Sequence, residues 1–213
     1  MSKELMIGVN DHSSIRLEAG KVLRFDPFNV KGSPRDADVI FITHDHFDHF
    51  SPEDIVSVRK SETVFVMPES MRRTALGAGI PEGKITFMKP GQTAQVCGFA
   101  VEAVPAYNIG KQFHTKDKGW LGYVVTAADK RVYVCGDTDN TPEARAVKCD
   151  IVFIPIGGKF TMDAKEGAAL ANALAPVTAV PVHYGSVAGT PADADVFAKN
   201  VSKDVTVLRK LFV

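Results

Sequence analysis

Long apolar runs are missing from this chain: no stretch approaches the ~20 residues that span a bilayer, and the opening MSKELMIGV has too short an apolar run for a signal peptide. A cytoplasmic protein without membrane attachment is expected. Net charge is missing as well. Among 213 residues, 25 basic side chains balance 25 acidic ones, so no global field draws the chain to nucleic acid or anionic lipid, and a nucleic-acid partner is not expected. Cysteine is scarce and odd in number. Cys97, Cys135 and Cys149 form no C-x-x-C pair, which argues against a thiolate zinc motif and a disulfide framework and leaves three thiols expected to be buried as small apolar residues. No repeat, low-complexity tract or Pro/Gly/Ser-rich linker divides the chain. One domain over residues 1–213 is expected, 45% apolar and long enough to bury a sizeable core.

What is present reads as two series of strands and helices. ELMIGV, SIRLEA, VLRFD and DVIFIT are β-branched or alternating apolar segments separated by turn residues such as Asn10, Asp11 and Gly20. Ser51-Pro52-Glu53-Asp54 then supplies a cap, a proline suited to the first helical position and first-turn acids, so a helix starts there. TVFVMP, KITFM, QTAQV, FAVEAV, WLGYVVTA and RVYVCGD read as further strands, with a hairpin turn at Asp129-Lys130. Helices are expected from Thr141-Pro142-Glu143, over DAKEGAALANALA, and near Pro191 with Thr190 as cap. VTAVPVH and VTVLR read as the closing strands. Hairpins lead and strand-helix units follow in each half, which suggests two mixed sheets packed face to face with helices outside.

The loop between DVIFIT and the Ser51 cap is chemically dense. Its six positions from His44 to His49 hold three histidines and two aspartates. On an extended strand end His44 and His46 point to one side and can grip one metal ion, while Asp48 and His49 arrive as the chain turns and can face a second. Imidazole and carboxylate suit zinc, manganese or iron. A polar surface loop with adventitious histidines is the bland alternative, and the H-x-H-x-D-H spacing directly after an apolar strand weighs against it.

THDHFDHF resembles the H-x-H-x-D-H signature of the metallo-β-lactamase superfamily. FDPF around Asp26, CGDTD around Asp137 and PVHYG around His183 resemble further motifs of that family in the same order, so the likeness covers nearly the whole chain. Within the superfamily the sequence is similar to small hydrolases near the L-ascorbate-6-phosphate lactonase group. The resemblance implies a four-layer αβ/βα sandwich with a one- or two-metal site between its sheets. It also implies His44 and His46 on the first metal, Asp48, His49 and His183 on the second, and Asp137 as bridge. For the third donor of the first metal, the place where relatives carry a histidine holds Asn108, and His114 is the available imidazole.

Four further residues are candidates for supporting roles. Asp26 can accept the outer N–H of a ligating histidine. His12 stands where related sequences often carry a histidine facing the site, although a plain turn histidine is an equal reading. Asn108 is the alternative to His114, and Lys159, after the strand DIVFIPI, can meet an anionic substrate at the pocket mouth. The expected activity is hydrolysis of a small ester, lactone, amide or phosphoester by a hydroxide bridging two divalent ions, zinc or manganese, with Asp48 as proton shuttle. A nuclease or phosphodiesterase of the same fold and a non-catalytic metal-binding module are the alternatives.

Overall fold

Alternating apolar residues give each strand two faces, and both faces of nearly every central strand here are apolar. A computed structural model describes residues 4–209 and contains two mixed sheets. The first runs, in spatial order, through β1 (Met6–Val9), β2 (Ile15–Glu18), β3 (Val22–Phe25), β4 (Ala37–Phe41), β5 (Arg59–Pro68) and β6 (Ile85–Met88). The second runs through β7 (Thr93–Val96), β8 (Phe99–Pro105), β9 (Leu121–Ala127), β10 (Lys130–Val134), β11 (Ile151–Pro155), β12 (Thr178–Val182) and β13 (Thr206–Val207). In each sheet the leading strands pair antiparallel and the later ones parallel.

Parallel neighbours need a crossover, and helices supply most of them. α1 (Pro52–Val58) joins β4 to β5 and α2 (Arg72–Gly77) joins β5 to β6. In the second sheet α3 (Pro142–Arg145), α4 (Ala164–Leu174) and α5 (Asp193–Asn200) play the same part between β10 and β13. The caps at Ser51 and Thr141 form as the sequence suggested, each side chain accepting from the backbone N–H three residues on. α4 carries a full capping box between Asp163 and Glu166.

Three apolar clusters define the layers. Phe25, Phe41 and Val66 of the first sheet meet Tyr123, Val134 and Phe153 of the second in the inter-sheet core. The alternate residues point outward: Val124, Tyr133 and Ile154 pack on Leu170, Ala171 and Phe197 of α4 and α5, and Ile40, Phe65 and Met67 pack on Ile55, Val58 and Ala75 of α1 and α2. The order is helix, sheet, sheet, helix, the expected αβ/βα sandwich. No described helix is long and apolar enough to cross a membrane.

Several local expectations need correction. The β9–β10 turn is Ala128-Asp129, with Ala127 paired to Lys130. Both turn residues have positive φ, 47° and 59°, as a type I′ turn requires, and alanine gives no sequence signal for that conformation. α5 starts at Asp193, because the Asp193 carboxylate accepts from the Thr190 N–H at 2.6 Å and closes a turn ahead of the helix. β5 begins at Arg59 rather than Thr63, and α2, whose first residue is preceded by no capping side chain, was not anticipated. Of the three cysteines, only Cys135 is fully buried; Cys149 is half-buried and Cys97 is exposed at the tip of the β7–β8 hairpin.

Candidate metal centre

The strands of both sheets end along one rim, and every chemically notable residue sits just past such an end. His44, His46, Asp48 and His49 follow β4, Asp26 follows β3, Asn108 and His114 follow β8, Asp137 follows β10 and His183 follows β12. Four of the site's residues hold left-handed backbone angles: His12 (52°), Asp26 (44°), His114 (54°) and His183 (59°). Such φ values are uncommon outside glycine and gather at functional sites, where the surrounding packing sustains them.

The donors fall into two groups around Asp137. The ring nitrogens of His44, His46 and His114 form one, all within 4.8 Å of one another, with His44 Nε2 3.0 Å from His46 Nδ1 and 3.3 Å from His114 Nε2. His12, Asp48, His49 and His183 form the other within the same limit. Asp137 lies between: its Oδ2 is 3.2 Å from His114 Nε2 and 3.0 Å from His183 Nε2, and its Oδ1 is 3.3 Å from His49 Nε2.

Supporting contacts set which nitrogen faces inward. Thr43 Oγ1 donates to Asp26 Oδ2 at 2.6 Å, which leaves its lone pair for His44 Nδ1–H at 3.0 Å. His49 Nδ1 donates to Asp26 Oδ2 at 2.7 Å, and His114 Nδ1 donates to Asn108 Oδ1 at 3.0 Å. Each of these three rings therefore turns Nε2 toward the centre, the nitrogen that a metal ion would take in place of a proton. His12 behaves differently: its Nε2–H donates to Asp48 Oδ2 at 3.0 Å, so it orients a carboxylate.

Electrostatics follow from the packing. Burial, with His49 alongside, holds His44 well below the ordinary imidazole range, and burial with His114 lowers His46. Burial alone would raise Asp137, yet His183 and His49 hold its carboxyl well below the usual range. Burial opposes a proton on His49, but Asp137 and Asp26 outweigh it and lift that ring well above 6.5. The centre thus holds an anion ringed by imidazoles.

Three buried atoms at its middle, His49 Nε2, His183 Nε2 and Asp137 Oδ1, crowd to 3.0–3.3 Å of an opposing imidazole or carboxylate atom yet make no aligned hydrogen bond among the described residues. Leaving a buried polar atom unsatisfied costs about 1–3 kcal/mol. Three convergent orphans of nitrogen and oxygen, flanked by a second trio of imidazoles, fit divalent metal ions.

A family model of the β-lactamase superfamily domain matches residues 13–184 of this chain. The chain belongs to the metallo-β-lactamase superfamily. A UPF0173 metal-dependent hydrolase of Methanopyrus kandleri is 27% identical over 209 residues, covering 90% of this chain and 89% of that protein. A solved structure from Parabacteroides distasonis superposes with a TM-score of 0.79 at 29% identity, over 99% of this chain and 94% of that one. The metallo hydrolase Igni18 of Ignicoccus hospitalis gives a TM-score of 0.80 at 22% identity, covering 96% and 94%, and at that identity the likeness speaks for the fold. Within this superfamily fold the H-x-H-x-D-H stretch is the loop between β4 and α1.

The structure draws the seven residues from His44 to His183 into one cluster, with Asp26, His12 and Asn108 directly behind it. Lys159 is apart: it is exposed, its ammonium 5.0 Å from the centre of the Phe160 ring, and it does not line the cavity above the metal-binding groups. Sequence reasoning missed Thr43, although its place between an apolar strand and His44 was a signal. It also missed Asp139, which accepts from Asn108 Nδ2 at 3.1 Å, from the Ile109 N–H at 2.7 Å and from Lys111 Nζ at 2.6 Å. Trp120 was missed too, its ring centre 4.8 Å from His44 and 4.9 Å from His46.

Proposed function

We propose that this superfamily member binds two divalent ions and hydrolyses a small ester, lactone or phosphoester. The observation that carries the reading is the trio of buried, unpartnered donor atoms on His49, His183 and Asp137, facing the trio of imidazoles on His44, His46 and His114. His44, His46 and His114 would hold one ion, Asp48, His49 and His183 the other, and Asp137 would serve both. Zinc suits this donor set, and manganese is the second choice. When bound, such a pair of ions polarises the substrate oxygen and supplies a hydroxide nucleophile near neutral pH.

The chain's own residues do the rest. Asp26, Thr43 and Asn108 hold three imidazoles in the tautomer with Nε2 inward. Burial acts to raise Asp48, but the His12 hydrogen bond and the nearby His49 outweigh it and keep its carboxyl below the usual range. Asp48 therefore enters the reaction ionised, ready to accept a proton and return it to the leaving group from the cavity wall it forms. Among the described residues, no serine or cysteine nucleophile lines the cavity. The partner is a small molecule, and a cytoplasmic location accompanies this reading.

Elemental analysis after metal-replete expression, followed by an ester, lactone and phosphoester panel, tests the proposal. Close to two ions per chain and turnover of one substrate class are expected. Fewer than about half an ion per chain would sink the dinuclear reading.

A further inference from the structure

The cavity above the metal-binding groups has a volume of about 190 Å³ and a polar floor of His46, Asp48, His114, Asp137 and His183. Its walls differ. Phe47, Phe113, Phe160 and Val187 complete the lining, and each comes from a separate loop, following β4, β8, β11 and β12 in turn. Phe47 is 68% exposed, Phe113 45% and Val187 38%, so packing within the chain does not account for their apolar character. Scattered apolar residues on a surface are ordinary. Four of them, delivered by four loops around one polar floor, mark a surface that is covered when a ligand binds. Phe113 and Phe160 also meet edge to face, their centres 5.2 Å apart, and so brace each other across two loops.

The lysines on these loops do not line the cavity. Lys111 Nζ donates to Asp139 Oδ1 at 2.6 Å and to the Thr161 carbonyl at 2.7 Å. Lys116 Nζ donates to Glu143 Oε1 at 2.7 Å. Lys159 lies outside the lining, against Phe160. Beside the ions that the floor would hold, the walls offer no side-chain cation, so an anionic substituent pressed against them would lose its hydration without a partner.

We infer that this centre selects a neutral ester or lactone that carries one aryl ring or one branched alkyl chain, with Phe113 and Phe160 setting the preference. The inference rests on the hydrolytic reading above and names its substrate class. Size agrees: an apolar cavity of roughly 150 Å³ accepts benzene, so about 190 Å³ that opens to solvent has room for one ring over the floor.

The test uses methyl esters and γ-lactones bearing a phenyl, methyl or carboxylate substituent, with the metal-loaded protein. The phenyl members should exceed the other two in kcat/KM by about tenfold or more, and Phe113→Ala/Phe160→Ala should erase most of that margin through KM at unchanged metal content. A preference for the carboxylate members that disappears in Lys159→Ala would overturn the inference. Saturation-transfer NMR with benzyl alcohol reads the pocket without turnover. Its signal should be lost in the double phenylalanine variant, and an equal signal from both proteins would overturn the inference. If no ester or lactone is hydrolysed while benzyl alcohol still contacts the wild type alone, the hydrolytic reading falls and the apolar pocket stands.

Discussion

His49 Nδ1 and Asp26 Oδ2 lie 2.7 Å apart, both fully buried, and this contact turns the other nitrogen of His49 toward Asp137. Asp26 accepts two more hydrogen bonds, from the backbone and hydroxyl of Thr43. One carboxylate therefore orients the histidine of one group directly and, through Thr43, His44 of the other.

Asp26→Asn should weaken metal binding without unfolding the chain. Asparagine tolerates the left-handed backbone at this position (φ 44°), but its amide cannot replace a carboxylate that accepts from both His49 and Thr43. A loss of about 10–100-fold in metal affinity is expected. Competition against a fluorescent chelator measures it, and unchanged affinity for both ions would show that the tautomer is set elsewhere.

His114 and Asn108 divide their labour in a way that two variants separate. His114→Ala removes a donor of the first group and should lose that ion and most activity. Asn108→Ala removes the acceptor of His114 Nδ1–H, so it should keep both ions at saturating metal while binding the first about tenfold more weakly. Metal stoichiometry after dialysis, compared with stoichiometry under excess metal, distinguishes the two. Equal losses in both variants under excess metal would reverse the assignment.

How these residues were legible differs from one to the next. The strand DVIFIT and the cap at Ser51 bracket the histidine cluster within a short span, so its place on a strand-to-helix loop could be read from period and capping alone. The layer order was legible for the same reason, since both faces of β9 to β11 carry apolar residues. The loop from Asn108 to Lys118 carries no period. Its course is set by Asp139, 31 residues beyond Asn108, which gathers Asn108, Ile109 and Lys111, and such a long-range contact leaves no local pattern. Phe47, Phe113 and Phe160 were invisible as a group because loops with no shared spacing bring them together.

Cysteine chemistry should follow exposure. Burial, with Asp150 beside it, pushes the Cys149 thiol up to about 11, so at pH 8 roughly one molecule in a thousand carries the thiolate there. Cys135 is fully buried. Native protein treated with iodoacetamide at pH 8 should take one label, at Cys97, and denatured protein three. Raising the pH should increase the Cys149 rate about tenfold per unit while the fold persists. Mass spectrometry of the digested protein checks both, and rapid native labelling of Cys149 at pH 8 would contradict the burial argument.

Gly157 is a sharper probe of the second group of donors, because a Cβ there would lie 2.6 Å from the His183 carbonyl oxygen and 2.7 Å from His183 Nδ1. Real Cβ contacts do not come that close, so Gly157→Ala must shift His183, whose ring packs on His12 at a centre distance of 3.7 Å. Gly158 next to it has open space around its Cβ position and only a left-handed φ of 81° to satisfy, so Gly158→Ala reports backbone strain alone, about 1 kcal/mol. Both variants should fold, since the inter-sheet core is untouched by either. Gly157→Ala should bind the second ion at least tenfold more weakly than Gly158→Ala does. Thermal melts with and without metal check this: the metal-induced rise in Tm should shrink in Gly157→Ala and survive in Gly158→Ala. An equal rise in both would mean that His183 tolerates displacement, and its place among the metal donors would have to be given up.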